Sequence, residues 1–472
     1  MDNKYKRLLS NSLWTLIGNA GSKLMAFILL PFYTRWLNTD GYGQADLITT
    51  YSNLILGLLS FCVADGILVF IKDKSYDEKK TYFSTTINFA ILSFVVWLIV
   101  FYVLSVIFIS KNYSNAFVDN IWLIYAMVFS IFIQNYCQQF IIGLDKIKLY
   151  SVTGLVLCIL TFILSYVLIP KYNVNGYIWS IVISHILTGL FCFIFSKSYM
   201  YYGFILDKSK IQKVLIYSIP LIPNAVMWWL VNALNRPLME QYLGYSDIGI
   251  YAVANKFPGV ISMLYGVISV SLTVSVLEEF GKPSYNAFFT KVFRLLFSLI
   301  ILLSIGLMTF SETIIKVFVA PEFIDAWKYM NVLIVGSIFS CMSSYFGLTF
   351  TVIKKTKYYF YSTIWGAITS IALNFMLIPI WGLYGASIAL VVSFGVTAIA
   401  RYIYSKKYIN PHLEIVLVSF TLLLIASCIF MIRIDSLLLR LMVLFIIIII
   451  MLVIERNNLR NLLYVKNNRI DF

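Results

Sequence analysis

The sequence predicts an all-α integral membrane protein of about 14 transmembrane helices: two pseudo-symmetric six-helix bundles forming a parallel repeat, plus two C-terminal helices. Three observations predict it. The chain of 472 residues is 61% apolar and only 12% charged, whereas soluble domains carry roughly a quarter of their residues as charges. Basic residues alternate between successive loops. The first and second halves also repeat each other.

Helices come first, because a span needs about 20 mostly apolar residues. Such stretches fall at 12–37, 44–71, 83–110, 119–143, 149–169, 176–196, 214–243, 248–277, 288–319, 326–353, 358–378, 383–404, 413–432 and 436–455. No linker or low-complexity tract separates them. Lys4, Lys6 and Arg7 precede an apolar run, as in a signal peptide, but the run is long and carries Lys23. It reads as an uncleaved first span.

Charge then orients the spans. Alternate loops hold Lys72, Lys74, Lys79 and Lys80; Lys146 and Lys148; Lys197, Lys208, Lys210 and Lys213; Lys282, Lys291 and Arg294. The series continues with Lys354, Lys355 and Lys357, then Arg401, Lys406 and Lys407, then a basic tail. The positive-inside rule places these loops and both termini in the cytoplasm of a multi-pass inner-membrane protein. The rule also accounts for the net charge of +15 without nucleic acid. Six cysteines all fall in apolar stretches without metal-ligand spacing, so they read as small buried side chains.

The repeat is legible residue by residue. Lys146 to Tyr150, Leu168-Ile169-Pro170 and Gly176 recur as Lys355 to Tyr359, Leu377-Ile378-Pro379 and Gly385, at an interval of 209 residues. Pro31 and Leu37 to Gly43 recur as Pro237 and Leu243 to Gly249, at 206. Helix punctuation explains each proline locally but not the basic signature upstream of both. Lobes of 1–213 and 214–410 follow, with 411–472 as two added helices and a tail. Six spans per copy start both copies on the same side, a recurring transporter plan.

Ser218-Ile219-Pro220-Leu221-Ile222-Pro223-Asn224, Trp228-Trp229, Asn235-Arg236, Gly249-Ile250-Tyr251 and Ala254-Asn255-Lys256-Phe257-Pro258 resemble a known family. It is the bacterial polysaccharide transporters of the multidrug/oligosaccharidyl-lipid/polysaccharide exporter superfamily. The resemblance covers nearly the whole chain. It implies translocation of an undecaprenyl-diphosphate-linked oligosaccharide between leaflets of the bilayer, beside glycan polymerase and chain-length machinery, by a monomer. Two departures stand out: Asn235 where the family often has Asp, and Leu37-Asn38 where Leu-Gly is usual.

Charges deep in a membrane cost about 2.5–3.5 kcal/mol on insertion scales and usually face a cavity. They cluster in the leading spans of the two copies. The first span carries Ser12, Thr15, Asn19, Ser22 and Lys23 on one face, with Arg35 farther out; the second carries Asp46, Thr50, Asn53, Ser60 and Asp65. The seventh has Trp228, Asn232, Asn235, Arg236 and Glu240, and the eighth has Asn255 and Lys256. Cations suit a diphosphate; amides and aromatic faces suit sugars. Lys23, Arg236 and Lys256 are the expected diphosphate contacts, with Asn19, Asn232, Asn235, Asn255, Trp228, Arg35 and Asp46 lining the same cavity.

Each residue also has a plainer reading. Arg236 and Lys256 can pair with Glu240 or Asp46, Arg35 and Asp46 can snorkel, and the tryptophans can simply pack. His185 reads as a packing histidine, Glu312 and Lys316 as a local pair, and Arg440 as a snorkelling cation. No phosphate loop or zinc motif occurs, so no cofactor or catalysis is expected. A membrane-embedded glycan polymerase would need a large outer loop, whereas the longest runs from Lys111 to Val118. A cation-coupled multidrug exporter would favour twelve helices.

Overall fold

The computed structural model describes residues 27–111, 114–409, 413–434 and 436–449. Among them every regular element is helical. The chain forms two compact units, residues 1–252 and 253–472.

Among the described residues eight helices are long and apolar enough to cross a membrane, and two further pairs qualify as bent spans. The helices Ile147–Phe195 and Lys357–Ser405, 49 residues each, are not single rods. Each reverses at one non-helical residue, Asn173 (φ 50°, ψ −126°) or Gly382 (φ 54°, ψ −130°). Ser165 and Ser180 hydrogen bond at 3.0 Å, although a straight helix would put them roughly 22 Å apart. Arg401 likewise reaches Ser362, 39 positions back, at 3.1 Å. These are helical hairpins, so each holds two of the expected spans. A Cβ on Gly176 would lie 2.2 Å from the Leu168 carbonyl oxygen, and one on Gly385 would lie 2.2 Å from that of Leu377. Only glycine allows the arms to meet so closely.

Around the first hairpin packs Ile121–Gly143, and Tyr76–Ser110 is tied to it through Tyr136, whose hydroxyl donates to the Phe83 carbonyl at 3.0 Å. Ser75 starts Tyr76–Ser110 by accepting from the Glu78 amide. In the second unit Ala326–Val352 is the central helix, with Gly336 against Leu390 on one hairpin arm and Gly347 against Tyr359 on the other. There Tyr345 donates to the Phe289 carbonyl at 2.7 Å. The two tyrosine bonds therefore recur at the intervals read from the sequence.

Three features depart from continuous spans. The second breaks between Thr39–Ser60 and Val63–Ile71 with a 53° bend, Phe61 and Cys62 both being left-handed. The carbonyl of Leu59 is satisfied by the Ser93 hydroxyl at 2.8 Å. The seventh breaks between Leu221–Asn232 and Asn235–Tyr242. The eighth bends by 43° near Ser269.

Arg440 is also not a snorkelling cation. It is 1% exposed, lies 3.1 Å from Glu312, and stacks on Trp327 at 4.8 Å. Glu312, paired with Lys316 at 2.7 Å as expected, supplies a carboxylate inside the second unit and makes burial tolerable. Through this contact Leu437–Ile449 is held on the second unit, and Glu414–Arg433 is held there through Met431, whose sulfur accepts from Thr309 Oγ1 at 3.8 Å. The six cysteines are free and buried, and His185 meets Gln134 at 3.1 Å.

Candidate functional site

The polar residues of the second and seventh spans converge in the first unit. At the break after Asn232, Ala233 leaves the helical region (φ −136°, ψ −12°), freeing carbonyls that would otherwise accept within the helix. Arg236 returns to this point. Its Nη1 donates to the Asn232 carbonyl at 2.9 Å and to Asn235 Oδ1 at 3.2 Å. Its Nε donates to Asp46 Oδ2 at 2.8 Å, 190 positions away. The guanidinium also stands 5.4 Å from the Tyr251 ring centroid. One side chain thus caps a broken helix, neutralises a carboxylate and stacks on an aromatic face.

Asn235 explains its own departure from the family pattern. It accepts from Arg236 and donates from Nδ2 to the Tyr251 hydroxyl at 2.5 Å. A carboxylate there would only accept, and the counter-charge for Arg236 comes instead from Asp46. Arg236 is 7% exposed. Of its five N–H groups, those on Nη2 take no partner among the described residues.

Glu240 is occupied elsewhere. Its carboxylate accepts from Tyr51 (3.1 Å), Tyr245 (3.2 Å) and the Ala116 amide (2.5 Å), tying the segment after residue 114 to the helix. Trp229 donates to the Thr50 carbonyl at 3.0 Å, so this tryptophan joins the seventh span to the second. Trp228 is half-buried, and its carbonyl accepts from Asn232 Nδ2 at 2.8 Å.

Beside this knot the N-terminal turns of Thr39–Ser60 and Tyr245–Ala254 cross at two glycines. A Cβ on Gly43 would meet the Tyr245 carbonyl oxygen at 1.9 Å, and one on Gly249 would meet that of Thr39 at 2.1 Å. Ser246 donates to Thr39 Oγ1 at 2.8 Å. The partners are sequence-equivalent, so the contact is reciprocal.

Arg35 is exposed, at the end of Leu30–Trp36. Asn255 and Lys256 belong to the second unit and are half-buried, in the turn before Pro258–Glu279. Asn19 and Lys23, with Ser12, Thr15 and Ser22, lie outside the described residues.

One polar centre was not anticipated. Arg401, assigned by its charge to a cytoplasmic loop, is instead inside Lys357–Ser405 and 2% exposed. It donates to Ser362 Oγ (3.1 Å), the Ser343 carbonyl (3.2 Å) and Thr363 Oγ1 (3.3 Å), and stands 4.9 Å from the Tyr359 ring centroid. The signal available was the hydroxyl pair Ser362-Thr363, about as far before Gly382 as Arg401 is after it.

Comparison with known proteins agrees with this architecture. The sequence matches the family described as polysaccharide biosynthesis protein over residues 8–274, the first unit and the start of the second. The Lsg locus putative protein 1 of Haemophilus influenzae is 24% identical over 280 residues, covering 54% of this chain and 63% of that protein. The chain thus spans under two thirds of that relative's length. The fold resembles the lipid II flippase MurJ in an inward closed conformation, with a TM-score of 0.68 at 15% identity, covering 96% of this chain and 99% of the other. It also resembles an inward-facing multidrug resistance MATE family transporter of the MOP superfamily, with a TM-score of 0.64 at 12% identity, over 83% and 94% of the two chains. With a match spanning more than half of its length, the chain belongs to the polysaccharide biosynthesis protein family, and its fold is the one seen in the MurJ and MATE structures.

Proposed function

We propose that the protein is a flippase carrying undecaprenyl-diphosphate-linked oligosaccharide repeat units from the cytoplasmic to the outer leaflet of the bacterial inner membrane. It would act by alternating access, in the biosynthesis of a surface polysaccharide such as O-antigen or capsule. The observation that carries this reading is the buried Arg236 at a broken span, fixed by Asp46, with both N–H groups of Nη2 unpartnered among the described residues. Broken helices at membrane depth are tolerated where they are buried in protein or line a cavity, and transporters place substrate there. A guanidinium held through Nε and Nη1 and open at Nη2 suits a phosphate oxygen.

On the positive-inside topology, with both termini cytoplasmic, the Gly43–Gly249 crossing lies at the outer end of the second and eighth spans. Its backbone-to-backbone closeness suits a conformation closed to the outside. Lys23 and Lys256 would complete the cation set, and Trp228, Asn232, Asn235, Asn255 and Asn19 would contact sugar. Arg35 and Asp46 would sit at the rim, with Asp46 acting mainly through Arg236. The lobes 1–213 and 214–410 would rock about this site, as one monomer, alongside polymerase and chain-length proteins.

The test is surface glycan in cells lacking their own flippase, with protein level checked by blot. Lys23→Ala, Arg236→Ala and Lys256→Ala should each lower surface glycan strongly at normal expression. Full complementation by all three would assign these charges to structure alone. Drug resistance conferred without surface glycan would favour a multidrug exporter instead.

A further inference from the structure

The second unit buries Arg401 without a carboxylate. Among the described residues no Asp or Glu pairs with it, and Glu414, the acid nearest in sequence, is taken by Lys406. Its three hydrogen bonds go to two hydroxyls and one carbonyl, all neutral. The Tyr359 ring offers a quadrupole, which offsets only part of what a guanidinium loses on leaving water. Losing the proton is not open to arginine, as it would be to lysine.

The groups left over around it are all able to donate. Three of the five guanidinium N–H groups are used, leaving one on each Nη. Ser343, whose carbonyl accepts from Arg401, is 1% exposed, and its own Oγ has no partner among the described residues. Tyr265, on Pro258–Glu279, the helix packed against the one that carries Ser343, is 6% exposed, and its hydroxyl too is unpartnered among the described residues. Buried polar groups are nearly always satisfied, and a set of unpaired donors around a cation is satisfied together by one acceptor carrying negative charge. The surrounding field points the same way: Lys354, Lys355, Lys357, Lys406 and Lys407 flank the two ends of this hairpin.

We propose that Arg401, with the hydroxyls of Tyr265 and Ser343, forms a binding site for a small monovalent anion of halide size, which serves as the missing counter-charge of the second unit. Arg401, Ser343 and Tyr265 are all buried, which favours a small anion over a large one. Chloride is the cytoplasmic and buffer anion of that size.

The experiment follows thermal unfolding of the purified full chain in detergent, with chloride exchanged for gluconate at constant ionic strength. Wild type should melt several degrees higher in chloride, with a saturable midpoint, and bromide should replace chloride. Arg401→Met should abolish the dependence. If that variant fails to fold, Tyr265→Phe and Ser343→Ala decide. Each removes one hydroxyl and should move the chloride midpoint about tenfold higher. A wild type equally stable in gluconate and chloride overturns the proposal. So does a chloride midpoint left unchanged in Tyr265→Phe and Ser343→Ala, or a chloride dependence retained in Arg401→Met.

Discussion

Each unit buries an arginine beneath an aromatic ring, and the two are neutralised differently. Arg236 holds Asp46 at 2.8 Å; Arg401 holds only neutral oxygens. In the first unit the charge is balanced by the chain itself, across 190 positions of sequence. For Arg401 it is not, among the described residues, although Arg440 of the same unit has Glu312. The difference shows that duplication preserves scaffold more faithfully than electrostatics. The hairpin turns at Asn173 and Gly382 coincide within a few degrees, and the Tyr136 and Tyr345 hydroxyls donate to equivalent carbonyls. The arginines occupy no equivalent positions.

The sharpest way to break this comparison is to remove each cation. Arg236→Ala leaves Asp46 without its partner, and such loss costs about 3–5 kcal/mol. Adding Asp46→Ala should restore much of it, so a double-mutant cycle on unfolding midpoints should give a large coupling. Arg401→Met orphans no carboxylate and should cost about 1 kcal/mol or less in gluconate. Equal losses for the two arginines would mean that neutralisation does not distinguish the units.

The next effect concerns the crossing in the first unit. Gly43→Ala places a methyl 1.9 Å from a carbonyl oxygen, and overpacking of this kind costs about 1–3 kcal/mol. Gly249→Ala should match it, because the contact is reciprocal. In the second unit Gly259 has open space around its Cβ position, and Gly259→Ala should melt no lower than wild type. A harmless Gly43→Ala would mean the crossing is looser than drawn.

The smallest effects separate the two corners. Both residues occupy the positive-φ region that glycine tolerates best. Gly382→Ala should lower stability by about 1 kcal/mol, and Asn173→Gly should raise it by a few tenths. Paired melts of the two variants test this, and shifts of the same sign would show that the corners are not equivalent.

Much of this was legible in the sequence, and for identifiable reasons. Hydropathy sets the spans, and the repeated Leu-Ile-Pro before Gly176 and Gly385 marks both hairpins. The breaks were not legible. Phe61 and Cys62 turn left-handed with neither glycine nor proline to announce it, and the restoring bond comes from Ser93, on another helix. The depth of Arg236 could be read, but its partner could not, since Glu240 is nearer in sequence and already committed to Tyr51, Tyr245 and Ala116. Arg401 was misplaced because counting charges by loop ignores what a helix end can bury. Glu312, which holds Arg440, was similarly hidden by an adequate local partner in Lys316.

The crossing at Gly43 and Gly249 carries a consequence for ancestry. Each glycine abuts the residue four before the other, Tyr245 or Thr39, and these are themselves counterparts in the repeat. Such self-complementarity is what a two-fold axis between identical subunits produces. The crossing therefore has the form of a homodimer interface, as joining two copies of one gene would leave it. In copies so joined, neither glycine has room to gain so much as a methyl group.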